Sequence, residues 1–268
     1  VSIKGIDLDL DSSKIIWYRR LYRSSYLDKF LNKNFSFHSV RLYTQFLFNE
    51  WGLFMKIFID TLSNNTTWFD YPFLNKNKLE ILLLAEKHGL QIPETYISNS
   101  IKSYTDGDFI TKSLGNTTSF IFGKRIYSIY TEVVKNVEQK FLPALFQKKI
   151  NKKFEIRTFY LDGKCYSMAI FSQSDAQTQV DFRRYNHNKP NRCVPYNLPL
   201  EIEIKIDKLM IDLNLKTGSI DLIKGDTGLY YFLEVNPVGQ FGMTSKPCNY
   251  KLEKRVFEKL IEYEKNSK

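Results

Sequence analysis

Near the C-terminus two runs of alternating side chains, Ser219–Ile223 and Leu229–Val235, flank the stretch Lys224-Gly225-Asp226-Thr227-Gly228. A glycine-rich turn between two β-favouring runs dictates an antiparallel hairpin, and no other segment leaves the chain so few options. Alternate strand residues share a face, so Glu234 and Asn236 lie on one side, about 7 Å apart. A four-residue turn over Gly225–Gly228 sets Ile223 opposite Tyr230 and Asp221 opposite Phe232. Asp221 then shares the face of Phe232, Glu234 and Asn236 and lies diagonal to Glu234. A turn one residue longer or shorter would point Asp221 the other way.

Two carboxylates and an amide oxygen are hard donors. They suit Mg²⁺ bridging phosphate oxygens, whereas softer metals want His or Cys. The same face is also what an edge hairpin shows to water. The apolar flank Tyr230-Tyr231-Phe232-Leu233 and the following Pro237 favour a buried strand, in which unpaired carboxylates would be costly.

The remaining chain divides into three regions. Residues 1–70 open with the strand-like alternation Ile3, Ile6, Leu8, Leu10. A helix is predicted over Phe37–Ile59, with Val40, Tyr43, Leu47, Trp51 and Phe54 as its inward stripe, and Asn64-Asn65 as a break. Residues 71–145 hold Tyr71-Pro72, a helix over Asn75–His88 capped by Gly89, strands Thr95–Ser98 and Phe109–Lys112, and the polar stretch Ser113–Ser119. Residues 146–268 contain strands Leu145–Ile150, Glu155–Leu161 and Cys165–Phe171, the last two joined by an Asp162-Gly163 turn. A helix over Pro199–Leu213, the acidic hairpin and a helix over Cys248–Tyr263 follow. The sum is an α/β (α+β) chain.

Composition narrows the partners. Lys and Arg (39) exceed Asp and Glu (29), a net charge of +10 that favours nucleotides, acidic peptides or other anions. The basic residues are scattered and no nucleic-acid motif occurs, so nucleic acid is a minor alternative. No apolar run approaches the roughly 20 residues that span a bilayer. Three cysteines without a C-x-x-C spacing argue against a disulfide framework or zinc site, and for a reducing, cytoplasmic setting. The chain starts at Val1, which suggests that a preceding piece is missing.

The run Gly218-Ser219-Ile220-Asp221-Leu222-Ile223 with Phe232-Leu233-Glu234-Val235-Asn236-Pro237 resembles the end of an ATP-grasp domain. In that family an Asp, a Glu and an Asn hold two Mg²⁺ ions against ATP. Upstream, Lys112 closes Phe109-Ile110-Thr111-Lys112 where the family carries a phosphate-contacting Lys. Gln147, Lys148, Lys149 and Ile150 fit the hinge whose backbone reads adenine, and Glu155 fits the ribose ligand. The implied fold is two α+β lobes clamping ATP, preceded by a partial N-terminal domain.

Trp17-Tyr18-Arg19-Arg20, Met168–Gln173, Asp181-Phe182-Arg183 and Val238-Gly239-Gln240-Phe241 look like the grasp-with-SPASM peptide maturases, relatives of the graspetide (microviridin-type) macrocyclases. Residues 1–70 are shorter than that group's N-terminal domain, and the connection from Thr95 to Lys112 is short.

The resemblance implies an ATP-dependent carboxylate ligase. It would act on a ribosomally synthesised precursor peptide, leader plus core, turning Asp or Glu side chains into acyl phosphates. A hydroxyl or amine would then close ω-ester or ω-amide links. Asp221, Glu234 and Asn236 would hold the metals, Arg157 and Arg183 the transferring phosphate, with Asp181 orienting Arg183. Glu155 has a second reading as a surface partner of Arg157, and Arg184 is either solvated or a rival to Arg183. His88 reads as structural, and His38 and His187 have no partner pattern. Ser113–Ser119 is a phosphate-covering loop or a plain turn. Two alternatives stand beside the maturase: a ligase that adds an amino acid to a protein tail or small molecule, and a non-enzymatic peptide- or nucleic-acid-binding module. The sequence leaves a homo-oligomer open.

Overall fold

The computed structural model describes residues 2–3, 6–7, 14–19, 40–63, 66–71, 76–100, 109–115, 119–122, 125–134 and 141–266. Leu8, Leu10, Arg20, Phe37, His38, Asn64-Asn65, Pro72, Asn75 and the 116–118 part of the polar stretch lie outside these residues. The first elements are β1 (Ser2–Ile3), β2 (Ile6–Asp7), β3 (Ile15–Trp17), helix α1 (Val40–Ser63) and β4 (Thr67–Asp70). Helix α2 (Lys78–Lys87) follows, then β5 (Thr95–Ser98), β6 (Phe109–Lys112), β7 (Ser119–Phe122), β8 (Arg125–Ser128), β9 (Glu132–Val133) and β10 (Ala144–Lys148). Next come β11 (Lys152–Leu161), β12 (Lys164–Phe171), β13 (Arg192–Tyr196), α3 (Leu200–Asp212), β14 (Thr217–Gly225) and β15 (Tyr230–Asn236). Helices α4 (Gly242–Cys248) and α5 (Leu252–Asn266) end the chain. Two compact units form: residues 1–73 with 254–268, and residues 74–253.

In the first unit β3 and β4 pair in parallel, with Ile15 opposite Thr67 and Trp17 opposite Asp70. The indole of Trp17 donates to Asp70 Oδ2 at 3.3 Å, and buried Phe69 meets Tyr263 edge to face. Helix α1 turns Leu47, Trp51, Met55, Phe58 and Ile59 inward to differing degrees, whereas Phe54 is exposed. The predicted stripe drifts off at Phe54 because a 3.6-residue period carries it from Trp51 to Met55. No helix among the described residues is long and apolar enough to cross a membrane.

The second unit holds a four-stranded sheet in the order β5-β10-β6-β9, the hairpin β7-β8, and a five-stranded sheet in the order β13-β12-β11-β14-β15. Among the described residues its paired strands are antiparallel, and an isolated parallel bridge joins Gln91 to Tyr231. One face of the larger sheet carries Ile156, Tyr160, Ile220, Leu222, Phe232 and Val235, packed on Ile81, Leu82 and Ala85 of α2 and on α3. In α3 the buried residues Ile202, Ile206, Leu209 and Met210 recur every three to four positions. At the start of α2, Asn77 Oδ1 accepts the Leu79 and Glu80 amides at 3.0 Å, and Glu80 takes the Asn77 amide at 2.6 Å. Gly89 ends that helix at φ +79°, as its position after the last periodic residue requires. Asp162 and Gly163, both at positive φ, make the two-residue turn between β11 and β12.

Two further expectations change. The helix predicted over Cys248–Tyr263 begins only at Leu252, because Asn249 and Lys251 take left-handed φ values of 51° and 52°, and Cys248 is instead the last residue of α4. In the acidic hairpin the turn closes one residue later than expected, so Lys224, not Ile223, faces Tyr230. Continued unbroken, that register would send Asp221 away from Glu234. A bulge at Leu233 absorbs the extra residue: Leu222 faces Phe232, but Asp221 faces Glu234 directly. Phe232 thereby joins the core face with Val235, not the acidic one.

Candidate functional site

The sheet face opposite α2 and α3 centres on one row of paired positions. Met168, Arg157, Asp221 and Glu234 lie side by side across β12, β11, β14 and β15, with Ser219 facing Asn236 in the next row. Directly opposed strand residues sit about 5 Å apart at Cα, so the two carboxylates converge without any long-range adjustment. Arg157 Nη1 donates to both Asp221 oxygens at 2.9 Å. Glu234 Oε2 lies 3.0 Å from Lys78 Nζ, and its Oε1 accepts the Asn236 amide at 3.4 Å.

Electrostatics set the two acids apart. Burial pushes the Asp221 carboxyl up, Arg157 pulls it down, and the nearby Glu234 charge raises it again, leaving it at about 6. Burial also works against Glu234, but Lys78, Lys112 and the Asn236 amide outweigh it and hold the acid at about 2. Lys112, the last residue of β6 and paired in register with Leu145, belongs to this cluster. Its burial, reinforced by repulsion from Lys78 and Arg183, brings the ammonium down to about 8.

Arg183 is held by Asp181, whose oxygens take its Nε at 2.9 and 3.1 Å, its Nη2 at 2.5 Å and its backbone amide at 3.0 Å. Asp181 also accepts the Thr131 amide at 3.0 Å, tying the loop to the residue just before β9. Burial would raise this acid, yet the Arg183 and Thr131 bonds lower it, so it is a fixed anionic bracket. Arg184 instead pairs with Glu132 and lies over Tyr130.

The hinge residues sit on β10 and just beyond it. Gln147 is fully buried and donates to Thr95 Oγ1 at 2.9 Å, while the Lys148 amide bonds Glu94 at 2.8 Å. Lys148 and Lys149 are exposed and Ile150 is half-buried. Glu155 is buried on β11 and pairs with Lys152, which also donates to the Val180 carbonyl at 3.0 Å. The alternative partner for Glu155 is thus taken: Arg157 goes to Asp221. His88 caps α2 and bonds Asp212 at 2.9 Å, and His187 meets Tyr185 edge to face.

Sequence reading missed Lys78 and Lys152. Lys78 occupies the first position of α2, where the helix dipole disfavours a cation. A lysine directly behind an Asn cap was therefore a signal, since it calls for a nearby anion.

The face fits a divalent ion. Among the described residues no cluster of three or more His, Cys, Asp or Glu forms a metal cage. Two carboxylates and an amide oxygen leave coordination positions for phosphate oxygens, as Mg²⁺ at nucleotides requires. Gly239 keeps the exit from β15 tight: a Cβ there would lie 2.4 Å from the Ser219 nitrogen and its Oγ. Only glycine lets the chain after Asn236 press on the start of β14.

No protein-family model and no curated protein matches the chain. Solved structures do. A RiPP-associated ATP-grasp ligase of Chryseobacterium gregarium, in complex with ADP and a leader and core peptide, superposes with a TM-score of 0.69 at 24% identity, over 85% of this chain and 70% of the other. The macrocyclase MdnC of Microcystis aeruginosa, bound with the precursor peptide MdnA, gives 0.75 at 23% identity, over 97% and 82%. The macrocyclase MdnB from the same organism gives 0.69 at 22%, over 97% and 81%. The chain has the ATP-grasp fold expected from its sequence.

Proposed function

We propose that this chain is an ATP-dependent ligase acting on a ribosomally synthesised precursor peptide. It activates Asp or Glu side chains as acyl phosphates and joins them to a hydroxyl or amine within the same peptide. The observation that carries the reading is the row Arg157, Asp221, Glu234, with Asn236 beside it and Lys112 and Arg183 facing it.

Asp221, Glu234 and Asn236 would hold two Mg²⁺ ions, which would supply positive charge to neutralise the phosphates. Lys112 contacts the nucleotide phosphates, and Gln147, Lys148, Lys149 and Ile150 hold adenine, with Glu155 at the ribose. Arg183, bracketed by Asp181, and Arg157 stabilise the phosphoryl group in transfer, where fixed positive charge contributes most. The solved ligases of this fold with bound precursor peptides support the substrate class, and the net charge of +10 suits an acidic core.

The test is mass spectrometry of a candidate precursor peptide, leader plus core, incubated with the enzyme, ATP and Mg²⁺. Each link removes one water. A gain in mass equal to an amino acid would instead show a ligase that extends its substrate. Unchanged mass with wild-type enzyme that binds ADP would sink the reading. In isothermal titration Asn236→Ala and Glu234→Ala should each weaken Mg·ADP binding by about tenfold or more, the size of a lost charged contact.

A further inference from the structure

Lys78 has an unusual environment for a lysine in the first turn of a helix. Its side chain is 12% exposed, and its ammonium lies 3.0 Å from Glu234 Oε2. Lys112 acts on the same carboxylate. The helix start that carries Lys78 is fixed by the Asn77–Glu80 capping box, and α2 itself is anchored in the core through Ile81, Leu82 and Ala85. The lysine therefore reaches Glu234 from a rigid base.

An ammonium and a divalent cation draw on the same carboxylate charge. Among the described residues Glu234 is the ion-pair partner of Lys78, so a second anion is what would draw the ammonium away. Phosphate oxygens are such an anion, and they arrive beside Lys112 and Arg183. We propose that Lys78 is a competing counter-ion at Glu234, which makes divalent-metal binding conditional on a nucleotide. A phosphate that accepts the ammonium frees Glu234 for the metal. The coupling runs both ways, because linkage is reciprocal. Lys78 is thus a positioning residue acting through Glu234, and this inference rests on the metal–phosphate reading above.

Mn²⁺ serves as the probe, its free aquo ion counted by electron paramagnetic resonance, with and without ADP. Without nucleotide, Lys78→Met and Lys78→Gln should bind Mn²⁺ about tenfold tighter than the wild type, equivalent to about 1.4 kcal/mol. ADP should raise Mn²⁺ affinity far more in the wild type than in either variant, and Lys78→Arg should behave as the wild type. Adding Glu234→Ala to Lys78→Met should abolish the gain. A damaged fold can only lower affinity, so a gain cannot come from misfolding. Equal or weaker Mn²⁺ binding by both variants without ADP overturns the proposal, as does a gain that survives Glu234→Ala. Absence of Mn²⁺ binding to the wild type even with ADP overturns the metal reading itself, a distinct result.

Discussion

Replacing Arg157 with Met removes the largest downward pull on the Asp221 carboxyl, which sits at about 6 with the guanidinium in place, and leaves only the smaller pull of Arg183. Without it burial dominates, and the acid takes a proton at neutral pH instead of standing charged. That route limits the damage. Keeping a carboxyl protonated above its unfolded pKa costs about 1.4 kcal/mol per pH unit. In the wild type the folded pKa is raised, so stability falls as pH climbs from the unfolded value and levels off above about 6. In Arg157→Met the fall continues. The variant should therefore nearly match the wild type at pH 5.5 and lag increasingly above it, by up to about 1.4 kcal/mol for each unit that its Asp221 carboxyl rises past the wild-type value. These losses stay at or below the 3–5 kcal/mol expected for a stranded buried charge. Guanidinium unfolding followed by far-ultraviolet circular dichroism reads the difference. Tryptophan fluorescence serves as an internal control, since Trp17, Trp51 and Trp68 all belong to the other unit. A loss of equal size at pH 5.5 and pH 8 would refute the reasoning. So would a pH dependence that persists in Arg157→Met combined with Asp221→Asn.

Two further outcomes test other parts of the site. Lys112, with its ammonium brought down to about 8, loses charge as pH rises through that value, so ADP affinity should drop above pH 8 by up to about tenfold per unit; in Lys112→Met this limb of a calorimetric pH series should vanish. Gly239→Ala forces a methyl to within 2.4 Å of the Ser219 backbone, and should destabilise the chain by about 1–3 kcal/mol while weakening Mg·ADP, read by thermal shift and titration; an unchanged melting temperature would show that the contact relaxes freely.

Much of this site is legible because its donors lie close in sequence on strands whose period is fixed. Glu234 and Asn236 at i and i+2 share a face whatever the rest of the fold does. Lys112 at a strand end and the Asp162-Gly163 turn are equally local. What could not be read was long-range pairing. Nothing near Arg157 says that Asp221, and not Glu155, is its partner; that follows from the β11–β14 register, set 64 residues apart in the chain. Lys78 is further still from Glu234 and meets it only because α2 packs beside β15. The helix break after Cys248 escaped for a different reason: Asn249 suits both a helix interior and a left-handed cap, and only the packing of Tyr250 and Leu252 chooses.

The bulge at Leu233 shows why core and chemistry cannot be separated in this hairpin. The turn over Asp226–Leu229 fixes Lys224 opposite Tyr230, which places Leu222 and Phe232 together in the core. Carried on unbroken, the same register would set Asp221 against Leu233 and turn Glu234 toward α2 and α3, where a carboxylate has no partner among the apolar residues of that cluster. One extra residue satisfies both demands. It lets Phe232 and Val235 stay in the core while Asp221, Glu234 and Asn236 stay on the face that Arg157, Lys78 and Lys112 surround. The metal face therefore depends on a local irregularity that the buried side chains enforce, and the acidic residues themselves do not.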